Sequence, residues 1–433
     1  MALIAAKHDT IWISADEAAH RLGVSKPTLY AYVSRGKIRR TLADDGRRSR
    51  FNAAEVAILG RGKPKPPHPG MTELRLASAV TRIDETALYY RGVPVGSLVG
   101  SKSFEQVAAL LWQQEPSTWV AERGLVDQIV LFRTMLMQAP EPGRRSPSTS
   151  RNSESSHGGI GHLPGQAASQ MAQLVLQLGY LCSQREPGRS ENQTDLFACE
   201  VVANQTSKLL SVLSVSLPGV RKSDRTLAAR LWRHLSQRVP REGELEMIEA
   251  ALVCLADHEL ATATLAVRLA ASTRADLYAA IASGLAVLTG PLHGSASAGC
   301  YRMLASAAAT GRPARAIDEA LADYGLIHGF GHKVYKGSDP RSVALLQLLH
   351  QADVDRGKRA VVDAVLAEVK TRIPQHDNID FALGAITLCC DLPPSAGELL
   401  FCFARIAGWA AHYTEELAEP PLRFRVRAVY RGE

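Results

Sequence analysis

The chain has 433 residues, 46% of them apolar and 21% charged, with a formal net charge of +7; this is the balance of a folded protein long enough for two or three domains. No run of eighteen apolar residues occurs, and Met1 to Ile13 lacks a basic stretch followed by an apolar one, which argues against a membrane span and a secretion signal. Seven scattered cysteines without a Cys-x-x-Cys pair fit a reducing, cytoplasmic setting and offer no metal pattern.

The charge is unevenly placed. Residues 1–70 carry 13 Lys+Arg against 6 Asp+Glu, and the remainder is balanced. A concentrated positive field of this kind suits phosphate backbones. Within it, Ser14-Ala15-Asp16-Glu17 reads as a capping box opening a helix through Leu22. Gly23-Val24 makes a turn, and Ser25 is placed to cap a second helix reaching about Ser34, with Lys26, Thr28, Tyr30 and Arg35 on its exposed face. Lys37 to Arg50 reads as a hairpin with Asp45-Gly46 at its tip and Arg47, Arg48 and Arg50 on the return. Helix, turn, helix and basic wing resemble the small helix-turn-helix domains of the MerR and excisionase kind. That resemblance implies DNA binding, the second helix in a major groove and the wing on backbone, through Lys26, Thr28, Tyr30, Arg35, Lys37, Arg47 and Arg48. The plainer alternative is a protein-binding module with a solvated charged face.

Residues 61–70, Arg-Gly-Lys-Pro-Lys-Pro-Pro-His-Pro-Gly, predict a stiff, extended linker after a module spanning 1–60. A second domain begins at Met71. Leu88-Tyr89-Tyr90-Arg91-Gly92 predicts a short hairpin, and Ser103-Phe104-Glu105-Gln106-Val107-Ala108 the start of a helix. Apolar residues at three-to-four spacing predict helices in Ile248–Ala271, Ala275–Leu288 and Phe401–Leu417. The Ser-, Arg-, Gly- and Pro-rich stretch Ala139 to Gln166 predicts a mobile loop, and its His157 and His162 receive no role.

Five segments carry the chemistry: Ala256-Asp257-His258-Glu259, Gly290-Pro291-Leu292-His293-Gly294, Gly329-Phe330-Gly331-His332-Lys333, Asn378-Ile379-Asp380-Phe381 and Ala404-Arg405-Ile406-Ala407-Gly408-Trp409. With Asp339-Pro340-Arg341 they offer three histidines, two arginines and, among their acids, a carboxylate at Asp380. Joining a CoA thioester to a 2-oxo dicarboxylate needs a base for the hydrogen beside the thioester carbonyl, a donor for the enolate, and a proton for the ketone oxygen. A carboxylate shielded from water and two imidazoles meet those needs. Guanidinium forks hold carboxylates and stay charged.

In this order and spacing the segments resemble the citrate synthase family, over nearly all of Met71–Glu433. The resemblance implies a mainly α fold: a two-domain, all-helical citrate synthase-like body preceded by a small winged helix-turn-helix module. It also implies a large subdomain over 71–300 and 395–433, and a small one over 301–394 that closes on substrate. By resemblance Asp380 is the base, His293 the partner of the thioester oxygen, and His332 the histidine that binds and protonates the oxaloacetate carbonyl. His258 contacts oxaloacetate, Arg341 and Arg405 bind its carboxylates, and Lys333 and Lys336 face CoA. Arg425, in Arg425-Val426-Arg427, matches an arginine that reaches the other subunit's site and so implies a homodimer. No metal or cofactor is implied, the CoA thioester being a substrate.

Departures from the family's usual pattern are Gly294-Ser295-Ala296-Ser297 for Gly-Gly-Ala-Asn, Lys333 for Arg, Ala382-Leu383 after Phe381, and Leu255 for a frequent histidine. Two functions of different class follow as expectations. One is an acyl-CoA carboligase, a citrate synthase or, with propionyl-CoA, a 2-methylcitrate synthase. The other is a DNA-binding regulator whose citrate synthase-like body senses a metabolite.

Overall fold

The computed structural model describes residues 11–43, 48–61, 75–138, 165–184, 199–236, 238–290, 296–425, 427 and 430. The N-terminal module runs β1 (Trp12–Ser14), α1 (Ala15–Leu22), α2 (Lys26–Ser34), β2 (Arg40–Leu42), β3 (Ser49–Asn52) and α3 (Ala53–Arg61). Both expected helices are present with the expected ends. Gly23 stops α1 in the left-handed conformation, where its N–H reaches the carbonyls of Ala19 and His20. The caps differ from expectation. Ser14 Oγ does accept from the Glu17 N–H at 3.2 Å, but the Glu17 carboxylate turns to Arg21 instead of closing the box. Ser25 makes no cap bond; its hydroxyl lies 2.9 Å from that of Thr28.

The expected hairpin is the antiparallel pair β2–β3, with Thr41 opposite Arg50; its tip, with Asp45, Gly46 and Arg47, lies outside the described residues. β1 adds a third strand on the far side of β3, and α3 extends the module to Arg61, the first residue expected in the linker. Residues 62–70 lie outside the described residues. Ile13, Ala18, Leu22, Leu29, Ile38, Phe51 and Val56 make a small core of their own.

The body opens with an antiparallel sheet of β4 (Thr81–Ile83), β5 (Leu88–Tyr90) and β6 (Val93–Pro94). Helices follow: α4 (Val95–Leu98), α5 (Phe104–Trp112), α6 (Arg123–Gln138), α7 (Gly165–Ser183), α8 (Cys199–Val215), α9 (Leu227–Ser236) and α10 (Glu244–Leu255). Then come α11 (Thr262–Ser272), α12 (Leu277–Leu288), α13 (Ala296–Thr310), α14 (Pro313–Tyr324) and α15 (Pro340–Gln351). The last three are α16 (Arg356–Arg372), α17 (Ile379–Cys389) and α18 (Ala396–Leu417). The expected loop over 139–166 falls outside the described residues up to 164, while Gly165 and Gln166 begin α7.

One expected helix is two. The apolar rhythm of Ile248–Ala271 breaks between Leu255 and Thr262, where Glu259 takes a positive φ of 53°. Asp257 causes the break, because its buried carboxylate accepts the Glu259 N–H at 3.1 Å and the Thr81 hydroxyl at 2.5 Å. This competes with continued helix and turns His258 out of helical register.

Helix α18 is the axle of the body. It is buried from Ala396 to Tyr413 except at Phe401, and it packs on α5, α8, α10, α11 and α12. A helix buried on every side reads as apolar all round, so its buried acids and bases, Glu398, Arg405, His412 and Glu416, need partners. Among the described residues no helix is long and apolar enough to cross a membrane.

Candidate active site

Two stretches pair to build the site. Phe330 bridges Asp377, the Gly331 N–H donates to the His376 carbonyl at 2.7 Å, and the Asn378 N–H donates to the Gly329 carbonyl at 2.9 Å. Gly329 and Gly331 take φ of 82° and 88°. A side chain at Gly329 would also collide with Cys300 and Phe381, so only glycine lets the loop lie this close. The pairing sets the His332 loop beside the start of α17. There Asn378 caps the helix by accepting the Asp380 N–H at 2.9 Å, which leaves the Asp380 carboxyl free of capping duty.

His332 is oriented by its own backbone. Its Nδ1 accepts the N–H groups of Val334 and Tyr335 at 3.1 and 3.2 Å. The ring proton of the neutral form is thereby assigned to Nε2, a donor. Tyr335 stacks on the ring at 4.5 Å, and His258 meets it edge-on at 5.2 Å. His258 Nε2 lies 3.3 Å from the Tyr335 hydroxyl. Burial and the nearby cations Arg341 and Lys333 lower the His332 pKa, and burial with Arg341 and Arg405 lowers that of His258 strongly. Both imidazoles are therefore neutral at pH 7. They line a cavity of about 850 Å³ together with Ile83, Glu259, Gly331 and Lys333.

Arg341 and Arg405 act on both His258 and Asp380, which places all four in one electrostatic neighbourhood. Arg341 is buried at the start of α15, where its Nε and Nη2 donate to Asp339 at 3.0 and 2.6 Å. Burial opposes its charge, yet Asp339 outweighs burial and raises its pKa. Arg405 donates Nε to the Leu255 carbonyl at 2.9 Å and lies over the Phe401 ring; burial brings its pKa down to about 10. Asp380 is pushed up to about 6, burial outweighing the two arginines. The neighbourhood thus holds a strengthened carboxylate base, two neutral imidazoles and two guanidinium groups, a set suited to binding an anion and moving a proton at carbon.

Beneath His258 lies a buried polar network. His412 Nε2 sits 3.2 Å from Asp257 Oδ2, and Arg268, fully buried, donates to Glu415 and Glu416 at 2.6 and 2.8 Å. Glu416 also receives two bonds from Arg423. Burial raises and His412 with Arg405 lowers the Asp257 pKa, with a net fall.

Of the residues singled out in the sequence, His258, His332, Asp380, Arg341 and Arg405 share this neighbourhood, and Lys333 is exposed at the cavity. Lys336 is exposed and paired with Glu85. Arg425 is exposed. His293 lies outside the described residues, as do Arg47, His157 and His162. In the module, Lys26, Thr28, Tyr30, Arg35, Lys37 and Arg48 are exposed; Lys26 is held by Asp16 at 2.6 Å, and Tyr30 packs edge-on against Phe51.

Sequence reasoning passed over Tyr335 and Asp339. The acid beside Pro340-Arg341 was a visible signal for the second, since an arginine destined for burial needs a counter-charge. Nothing local marks Tyr335.

The sequence pattern of the family described as citrate synthase, C-terminal domain, matches residues 71–427, and that of a helix-turn-helix domain matches 12–58. The citrate synthase of Acidithiobacillus ferridurans is 26% identical over 374 residues, 82% of this chain and 92% of that protein. That of Synechocystis sp. is 31% identical over 205 residues, 46% of this chain and 51% of that protein, so the match spans about half of that relative. Among solved structures, a Thermoplasma acidophilum citrate synthase in ternary complex with carboxymethyl coenzyme A and oxaloacetate gives a TM-score of 0.62 at 20% identity, covering 83% of this chain and 94% of that one. A Thermotoga maritima citrate synthase gives 0.59 at 22% identity, covering 84% and 96%. At these identities the structural likeness shows the fold.

Proposed function

The chain belongs to the citrate synthase family, a family of acyltransferase enzymes, and from that premise we propose that it condenses acetyl-CoA with oxaloacetate and releases citrate and CoA. Asp380 takes the proton from the acyl carbon, its raised pKa making it a stronger base than an ordinary carboxylate. His293 is assigned by resemblance to the thioester oxygen of the enol. The Nε2–H of His332 donates to the ketone oxygen of the acceptor as the new carbon–carbon bond forms, and His258 contacts the acceptor beside it. Arg341 and Arg405 hold its two carboxylates. Lys333 and Lys336 meet the CoA phosphates, and water then cleaves the acyl-CoA adduct. Arg425 completes the site of a second copy, which makes the working unit a homodimer.

The observation that carries this reading is the tautomer of His332. With Nδ1 filled by two backbone N–H groups, a neutral ring at the cavity wall has a proton to give and no positive charge to lose. A thiol-release assay tests it: purified protein with oxaloacetate and acetyl-CoA is expected to liberate CoA. Release with propionyl-CoA in preference would make the product 2-methylcitrate. Release with neither would end the carboligase reading.

A second reading concerns the module. The exposed α2 and the basic residues Arg35, Lys37, Arg39 and Arg40 that follow it favour binding to DNA, whether beside catalysis or in a regulator that senses the acceptor. Retention on duplex DNA that weakens steeply with salt is expected; no retention at low salt would make the module a protein-contact domain.

A further inference from the structure

Among the described residues the module is seated on the body at α14. Arg21, in the last turn of α1, donates Nη1 to the Leu321 carbonyl at 3.3 Å, while Glu17 one turn back holds Nη2 at 2.5 Å and aims the guanidinium. Ala322, the next residue of α14, packs against the apolar core of the module. In return α3 lies on α14, and its Ala57 is buried as part of the body's core. Apolar contact therefore runs in both directions across the seat, with the oriented Arg21–Leu321 hydrogen bond beside it.

The seat falls on the last turn of α14, and that turn leads straight to His332. Gly325 ends the helix in the left-handed conformation. Tyr324 meets the His328 ring at 4.9 Å. His328 in turn fills the space that a side chain at Gly299 would need. Gly329 is wedged against Cys300 and Phe381, and Gly331 is bonded to His376. Tyr324 and Leu326 stand partly in solvent, but Ile327, Gly329 and Phe330 are buried, so a shift of the seat reaches His332 through the Tyr324–His328 contact and these packed steps.

We propose that Arg21 is a positioning residue for His332: seated on α14, the N-terminal module fixes the origin of the loop that presents this histidine to the acceptor. The inference rests on the acceptor-binding role given to His332 above. It predicts that the body alone does not set acceptor affinity.

The test uses the full chain as wild type, Arg21→Ala, Arg21→Lys and Ala322→Asp. Oxaloacetate affinity is read by calorimetry, and CoA release as KM and kcat. Arg21→Ala and Ala322→Asp are expected to weaken oxaloacetate binding and raise its KM about 3- to 20-fold, with a much smaller change in the KM for acetyl-CoA. Arg21→Lys, whose ammonium can still donate to the Leu321 carbonyl, restores most of the loss. A module contact that only stabilises the fold would lower the melting temperature and leave this split absent. Oxaloacetate affinity like wild type in Arg21→Ala overturns the proposal, and it does so even if Ala322→Asp fails to fold. Wild-type protein that turns over while its variants bind normally defeats the positioning role alone; wild-type protein that neither binds oxaloacetate nor releases CoA removes the functional reading beneath it.

Discussion

In the body, Asp257, Arg268, Asp339, Arg341 and Arg405 are all buried, each held by a hydrogen bond to a carboxylate, a guanidinium, a carbonyl or an imidazole. In the module, Lys26, Arg35, Lys37 and Arg40 stand in solvent. The same residue types thus work in two regimes. Removing one partner of a buried pair costs about 3–5 kcal/mol, whereas an exposed pair is worth about 0.2–1 kcal/mol and is screened by salt. Function in the body should hang on single residues, and function in the module on a sum.

The strongest way to break that contrast is at Asp380. Asp380→Ala is expected to lower turnover by roughly 10²–10⁴-fold while leaving oxaloacetate binding largely intact by calorimetry. Turnover like wild type would remove the proposed base and, with it, the claim that single buried groups matter most.

A second test separates chemistry from stability at the same residue. The Asp380 pKa is raised from an ordinary 3.8 to about 6 in the folded chain, so the folded state holds this proton more tightly than the unfolded one. Its favourable contribution is then complete below about 4 and lost as pH rises through about 6. Asp380→Asn, neutral at every pH, should resist urea better than wild type near pH 7.5 by on the order of 2–3 kcal/mol, and gain nothing near pH 4. An equal gain at both values would mean that packing, and not the buried charge, is responsible. The smallest expected effect lies in the module: Lys37→Ala should weaken DNA retention evenly across sequences and reduce the salt slope by about 1. A collapse of binding from that one change would erase the distinction between the regions.

Much of the module was legible because its signals are local. Ser14 before an amphipathic run and Gly23 after it bound α1, Ser25 marks the start of the second helix, and Asp45-Gly46 marks the hairpin. The body was legible where apolar periodicity persists, as in α12. It misled where a buried acid overrides it. Nothing in Ile248–Ala271 is a proline or a glycine, so the break at His258 is visible only once Asp257 is seen to take its partners from Thr81 and His412, more than 150 residues away along the chain. The candidate site was legible as a set of residue types through its resemblance to a family. The stacking of Tyr335 and the tautomer of His332 were not, since both depend on how one loop folds back on its own backbone. The seat of the module on α14 joins residues 300 apart, a separation that no periodicity encodes.

Arg341 and Arg405 are alike in charge but unlike in what they still have to offer. Arg341 has closed one edge of its fork on Asp339, whereas among the described residues Arg405 donates only its Nε, to a carbonyl. A dicarboxylate held between them would meet two unlike partners, one arginine paired directly with Asp339 and one balanced only through space by Asp257 and Asp380. The two guanidinium groups are thus electrically unlike, and a ligand with two similar ends would not find them interchangeable.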